Sequence, residues 1–271
     1  ALAEKGVTVY QFDLAATDIG KLAIALVDAA TIVIGTPTVH VGPHPLVFSA
    51  AHLANALHPK LKFASIIGSY GWNSKAIEQI AGLMLRLQSY GCHNINLVSP
   101  THVVPQLLAA ISIAACSGLR LPIVYNSGGY DSVPTLRLLD GVVDIYMPDM
   151  KYASADAALR YSNIPGYPQV NRAAVREMHR QVGDLLLDEH GIALRGLLVR
   201  HLILPNCLAS SGEIIDFIAR EISTSTYLNL MDQYRPEYLA DQYPELNRRI
   251  TAEEYREVLR LARQAGLNRL D

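Results

Sequence analysis

Short, nearly continuous apolar runs alternate along the chain with longer stretches in which apolar residues recur every three or four positions. The runs are rich in β-branched residues, as in Thr31-Ile32-Val33-Ile34-Gly35. Such runs are expected where a parallel strand is covered on both faces. They predict strands at Val7–Asp13, Thr31–Thr36, Lys62–Ser69, His93–Ser99, Leu121–Asn126, Val143–Asp149, Leu197–Leu204 and Thr226–Asp232. The periodic stretches Ile19–Ala29, Val47–Leu57, Ile77–Ser89, Val104–Cys116 and Ala252–Ala265 predict amphipathic helices between them. Eight βα units in one α/β chain predict a closed TIM-like (β/α)8 barrel. Val7–Asp13 should then pair with both Thr31–Thr36 and Thr226–Asp232, because an open edge leaves a row of unpaired backbone groups.

Two stretches depart from the repeat. Ser154–Asp188 is too long for a simple crossover, and its Arg172–Val182 portion reads as an extra surface helix. Tyr234–Pro244, rich in Tyr, Pro and charge, reads as a loop over the barrel mouth. With no repeat or low-complexity linker, residues 1–271 read as one domain. Half of the residues are apolar and the formal charge is -2, so neither nucleic acid nor an anionic membrane surface is an expected partner. No apolar run reaches the roughly 18 residues of a membrane span, and the first residues lack a signal peptide's order. A cytoplasmic monomer is the expectation. The three cysteines, Cys92, Cys116 and Cys207, are too far apart for a CxxC site. His40, His44, His93, His102 and His201 match no zinc spacing, and no metal is expected.

Residues 1 to about 80 carry Asp13-Leu14, Thr17-Asp18-Ile19, Ile34-Gly35-Thr36-Pro37-Thr38, Gly42-Pro43-His44-Pro45 and Ile67-Gly68-Ser69-Tyr70-Gly71-Trp72. This segment resembles the flavodoxin domain of flavo-diiron proteins. The resemblance implies that Thr36, Pro37 and Thr38 line one side of an FMN ring and Tyr70, Gly71 and Trp72 the other. The strand and Ser/Thr-rich loop that cradle the FMN phosphate in that family have no counterpart here.

From about Leu83 to Asp271 the motifs are His93-Asn94-Ile95-Asn96-Leu97-Val98-Ser99-Pro100-Thr101-His102, Tyr125-Asn126-Ser127-Gly128-Gly129, Asp149-Met150-Lys151, Arg200-His201-Leu202-Ile203-Leu204-Pro205 and Asn229-Leu230-Met231-Asp232-Gln233-Tyr234. This part resembles a radical S-adenosylmethionine protein of the pyruvate-formate-lyase-activating-enzyme type, in which five of six barrel units are matched. The resemblance implies a residual adenosyl site at Asn126, Ser127, Gly128, Asp149, Lys151, Arg200 and His201. The unmatched unit is the first, whose CxxxCxxC loop holds the [4Fe-4S] cluster. Neither an iron–sulfur cluster nor radical turnover is expected.

Three flavodoxin-like and five radical-SAM-like βα units sum to the number at which such a barrel closes. The junction falls inside the helix at 77–89, where Ile77, Ile80, Ala81, Met84, Leu85 and Leu87 keep one apolar face through the change. The pattern reads as an engineered chimeric scaffold with no intact parental catalytic site. Residual binding of FMN or S-adenosylmethionine at the strand C-terminal face, and a natural fusion of unknown activity, are the alternatives.

For FMN, surviving ring contacts compete with lost phosphate contacts. Charge-assisted hydrogen bonds are worth roughly 1.5 to 3 kcal/mol each, whereas stacking on Tyr70 or Trp72 adds only about 0.5 to 1.5 kcal/mol beyond area burial. The protein should purify colourless and bind FMN more weakly than about 1 μM, and more weakly still as Trp72→Ala. A flavin absorbance titration checks both. Submicromolar affinity would mean that another loop, such as Ser127–Gly129, holds the phosphate.

Overall fold

A computed structural model describes residues 8–14, 16, 18–27, 29, 31–39, 42–43, 47, 50, 53, 63–69 and 76–271. The fold is mixed α/β with mostly parallel strands, divided into two compact units, Ala1–Val124 and Tyr125–Asp271.

The first unit contains α1 (Ile19–Val27), β1 (Thr31–Val39), β2 (Gly42–Pro43), β3 (Phe63–Ser69), α2 (Ala76–Ser89), β4 (Ile95–Val98) and α3 (Val104–Cys116). β1 and β3 run parallel in the register Thr31↔Phe63 to Pro37↔Ser69, and β4 continues the sheet through Ile66↔Leu97. α2 buries Ala76, Ala81, Met84 and Leu87, a stripe at helical spacing. Its end is fastened by Gln88, whose amide donates to the Gly118 carbonyl at 3.0 Å while its oxygen accepts from the Arg120 N–H.

The expected first strand does not form. Thr8–Asp13 has no regular structure and pairs with no strand among the described residues. Its apolar side chains have another use: Phe12 and Leu14 pack with Ile32, Ala50 and Leu53 around Leu22 and Leu26 of α1. Val9 and Tyr10 stay largely exposed.

The second unit holds the end of β5 (Ile123–Ser127), then α4 (Val133–Arg137), β6 (Ile145–Pro148), α5 (Ala155–Ser162), α6 (Tyr167–Val182), β7 (Leu186–Leu187), β8 (Ala193–Leu202), α7 (Ser211–Phe217), β9 (Tyr227–Met231) and α8 (Ala252–Gln264). β6 and β8 pair in parallel at Ile145↔Gly196, and β8 and β9 from Leu198↔Tyr227 to Leu202↔Met231. β7 is a short antiparallel flap on β8. Along β8 the buried residues Leu197, Val199 and His201 alternate with Leu198, Arg200 and Leu202. This period of two sends successive side chains to opposite faces.

The other side of β9, expected to receive Val7–Asp13, is occupied from within the unit. The N–H groups of Leu228 and Leu230 donate to the carbonyls of Arg269 and Asp271 at 2.9 and 2.8 Å, and the Asp271 N–H returns to Leu228. The closed eight-stranded barrel is therefore corrected to an unclosed sheet. Its predicted first strand is absent, and residues 269–271 satisfy the edge that closure would have used.

α6 starts five residues before the predicted surface helix and is not a surface element. Pro168 fits the first turn, where its missing N–H costs nothing. Tyr167, Asn171, Ala174, Val175, Met178 and Val182 are buried.

Gly196 sits at a tight backbone approach. Its φ is +123°, and a Cβ there would overlap the Asp184 carbonyl and the Leu185 Cα. Gly196→Ala should cost about 3 kcal/mol or more, from left-handed strain and overpacking together. Gly191→Ala, at φ +78° with open space around it, should cost only about 1 kcal/mol. Urea unfolding of both variants separates clash from backbone strain; equal losses would refute the clash.

Candidate functional site

The C-terminal ends of β5, β6 and β8 bring three polar side chains onto one face. The alternation along β5 places Tyr125 and Ser127 together, both donating to the Asp131 carboxylate at 2.8 and 2.6 Å. Asn126 therefore points the other way, towards Arg200 of β8. Arg200 donates through Nη2 to Asn126 Oδ1 at 2.8 Å and through Nε to Asp149 Oδ1 at 2.8 Å. The second Asp149 oxygen accepts from Lys151 Nζ at 2.9 Å. One carboxylate thus holds two cations, and the trio Asp149, Lys151 and Arg200 carries a net charge of +1 (one negative, two positive).

Asp149 is 7% exposed, whereas the Lys151 side chain is 39% exposed. Gly128 leaves the space beside this ammonium open, since a Cβ there would lie 3.8 Å from Lys151 Nζ. The cluster can present ammonium and guanidinium donors to a ligand hydroxyl or anion, with the buried carboxylate fixing both cations.

The backbone beneath these side chains is held from several directions. The Asp149 N–H donates to Ser127 O at 2.9 Å, and the Met150 N–H to Arg200 O at 2.8 Å. Tyr167 Oη donates to Gly128 O at 3.0 Å and accepts from the Lys151 N–H at 3.1 Å. Burial pushes this phenol above its ordinary range. Asn171 Nδ2 donates to both Gly129 O and Asp149 O, at 3.0 and 2.9 Å. Only glycine fits at 129: φ is +73°, and a Cβ would overlap Asn171 Nδ2 and Asp149 O.

Of the residues that the sequence singles out, Asn126, Asp149, Lys151 and Arg200 meet, with Gly128 beside them. Ser127 lies on the opposite face of β5, where its hydroxyl is taken by Asp131 and the Gly129 N–H. His201, next to Arg200, also points to the opposite face and is fully buried. Its Nδ1 lies 2.6 Å from Met150 O and its Nε2 2.8 Å from Ser211 Oγ. Because the carbonyl can only accept, the proton sits on Nδ1 and Nε2 accepts from the serine. Thr36, Pro37 and Thr38 lie at the end of β1, whereas Tyr70, Gly71 and Trp72 are outside the described residues, as are His40 and His44.

The sequence reading misses Asp131, Tyr167, Asn171 and Ser211. Tyr167 and Asn171 share a spacing of four, the signature of one helix face, and Pro168 signals the helix start. No comparable signal marks Asp131 or Ser211. Among the described residues, no group of three His, Cys, Asp or Glu side chains could hold a metal ion. Cys92 is buried, whereas Cys116 and Cys207 are exposed. No helix among the described residues is long and apolar enough to cross a membrane.

No protein-family profile matches the chain. Its relatives include an uncharacterized protein of Methanocaldococcus jannaschii, 35% identical over 178 residues, which covers 65% of the chain and 47% of that protein. A second uncharacterized protein of the same organism is 30% identical over 86 residues, covering 32% of the chain and 22% of its own length. The chain spans less than half the length of either relative.

Burial lowers the His201 pKa from 6.5 to about 4, so the folded state holds this ring neutral. The unfolded chain takes up the proton first. Stability is therefore lost as the pH falls from about 6.5 to about 4, by roughly 3 kcal/mol, and this contribution levels off below that window. Urea unfolding at pH 7 and pH 4 should show a drop larger in the parent than in His201→Gln by about that amount. Equal drops would mean that the ring is not held neutral.

Proposed function

We propose that the chain is a small-molecule-binding α/β protein without radical turnover, taking S-adenosylmethionine or a related nucleoside at the strand ends of its second unit. The observation that carries this reading is the meeting of Asn126, Asp149, Lys151 and Arg200 on one face. In α/β folds ligands bind at strand C-termini, and this cluster sets a carboxylate that can accept from ribose hydroxyls beside an ammonium and a guanidinium that can donate to them.

The resemblance to radical S-adenosylmethionine partial barrels supports the choice of ligand. The strands it assigns, β4, β5, β6, β8 and β9, are all formed. In this reading they are five barrel units, joined through α2 to a flavodoxin-like fragment as a chimera or fusion. No CxxxCxxC loop occurs in the sequence to chelate a cluster, so no reductive cleavage step is assigned to the chain.

Calorimetric titration with S-adenosylmethionine and with adenosine tests the reading. Binding should be saturable and weakened about tenfold or more by Lys151→Ala, the loss of one charge-assisted contact. The side chain is exposed enough for the variant to fold, which circular dichroism checks. No heat at millimolar ligand would leave a scaffold with no function at this face.

A further inference from the structure

The segment Tyr234–Leu246 leaves the end of β9 and returns to its starting point. Tyr234 Oη donates to the Leu246 carbonyl at 3.0 Å, closing the neck of an Ω-type loop. Its returning limb is strapped down. Glu245 accepts from Arg160 and Tyr161 at 2.7 and 2.8 Å, Tyr243 Oη donates to Arg160 O, and Asn206 Nδ2 donates to Glu245 O. Leu246 is buried with Leu204 and Ala209, and Tyr152, Tyr161, Tyr234 and Tyr243 pack around them.

The tip is built on backbone turns, the Ala240 N–H donating to the Glu237 carbonyl at 3.1 Å and the Gln242 N–H to the Leu239 carbonyl at 3.0 Å, yet its apolar side chains face outward. Tyr238 is 92% exposed and Leu239 43%, so two apolar side chains stand in water at the turn. Tyr238 has φ +56°, an uncommon conformation for a non-glycine residue. Neither Glu237 nor Tyr238 makes a side-chain hydrogen bond or ion pair among the described residues. The neck adjoins the ligand-binding face: Tyr152 follows Lys151 and meets Tyr167 edge-on at 5.9 Å, and Tyr167 carries the Lys151 and Gly128 backbone. Four residues of extended chain span at most about 14 Å, which bounds the swing of the tip from the neck.

We propose that Tyr234–Leu246 is a lid whose tip closes on the bound ligand, the Tyr238 ring covering its nucleobase. The inference rests on the adenosyl-ligand reading of the strand-end face. Closure would bury the exposed ring against a flat partner and release the left-handed backbone, while the strapped limb stays in place as the hinge's fixed side.

Limited chymotrypsin digestion, followed by mass spectrometry at the Tyr238–Leu239 bond, tests the lid alongside calorimetry. Saturating adenosine should slow cleavage at this bond at least tenfold. Tyr238→Ala should weaken adenosine binding about fivefold or more, the low end for base–aromatic stacking, and Tyr238→Phe should retain affinity. Binding by calorimetry with unchanged cleavage and unchanged affinity of Tyr238→Ala would overturn the lid and leave the strand-end site standing. Absence of binding by both adenosine and S-adenosylmethionine would overturn the site and the lid together.

Discussion

The geometry of the strand-end face depends on Asp149. Its carboxylate bridges Lys151 and Arg200, its N–H reaches Ser127, and its carbonyl receives Asn171. A charge this enclosed is costly unless it is paired and hydrogen-bonded. Both oxygens have cationic partners, so the network is satisfied where a half-paired one would be worse than an apolar replacement. Because Arg200 also holds Asn126, displacement of the carboxylate would release all three strand ends at once.

A second layer makes that arrangement stiff. Tyr167 and Asn171 reach up from one face of α6 and engage the backbone of both the Gly128-Gly129 turn and the Asp149–Lys151 segment. Behind them His201 ties the Met150 carbonyl to Ser211 at the start of α7. The residues that would meet a ligand come from strand ends, while the residues that fix them come from helices behind the sheet. Such support is what separates a site from a set of nearby polar groups.

Seven of the eight predicted strands form, and along β5, where every residue is buried, the apolar run reports that burial. Val7–Asp13 has the same local preference, yet Phe12 and Leu14 find α1 instead, and β-propensity does not bind a segment to a partner. The edge on β9 was lost to residues 269–271, whose Arg-Leu-Asp sequence carries no strand signal. Asp149, Lys151 and Arg200 were visible as charges at strand ends. His201, which the resemblance places with Arg200 in an adenosyl site, faces the other way because the pleat sends adjacent residues to opposite faces. Asn171 was hidden because a polar residue on an amphipathic helix ordinarily faces solvent, and here the buried carbonyls of Gly129 and Asp149 outweigh that tendency.

The pleat of β8 also limits how this protein can change its length. Arg200 and His201 are neighbours serving opposite faces, one among charges and the other in the buried interior. Deleting or inserting one residue between Gly196 and Arg200 would exchange them, sending a guanidinium into apolar packing and leaving Asp149 with an imidazole or nothing. Substitutions along this strand can be graded, but a shift of frame cannot. Length variation among functional relatives should therefore collect in the β7–β8 turn at Glu189–Gly191 and in the loop after β9, and spare the segment that carries both residues.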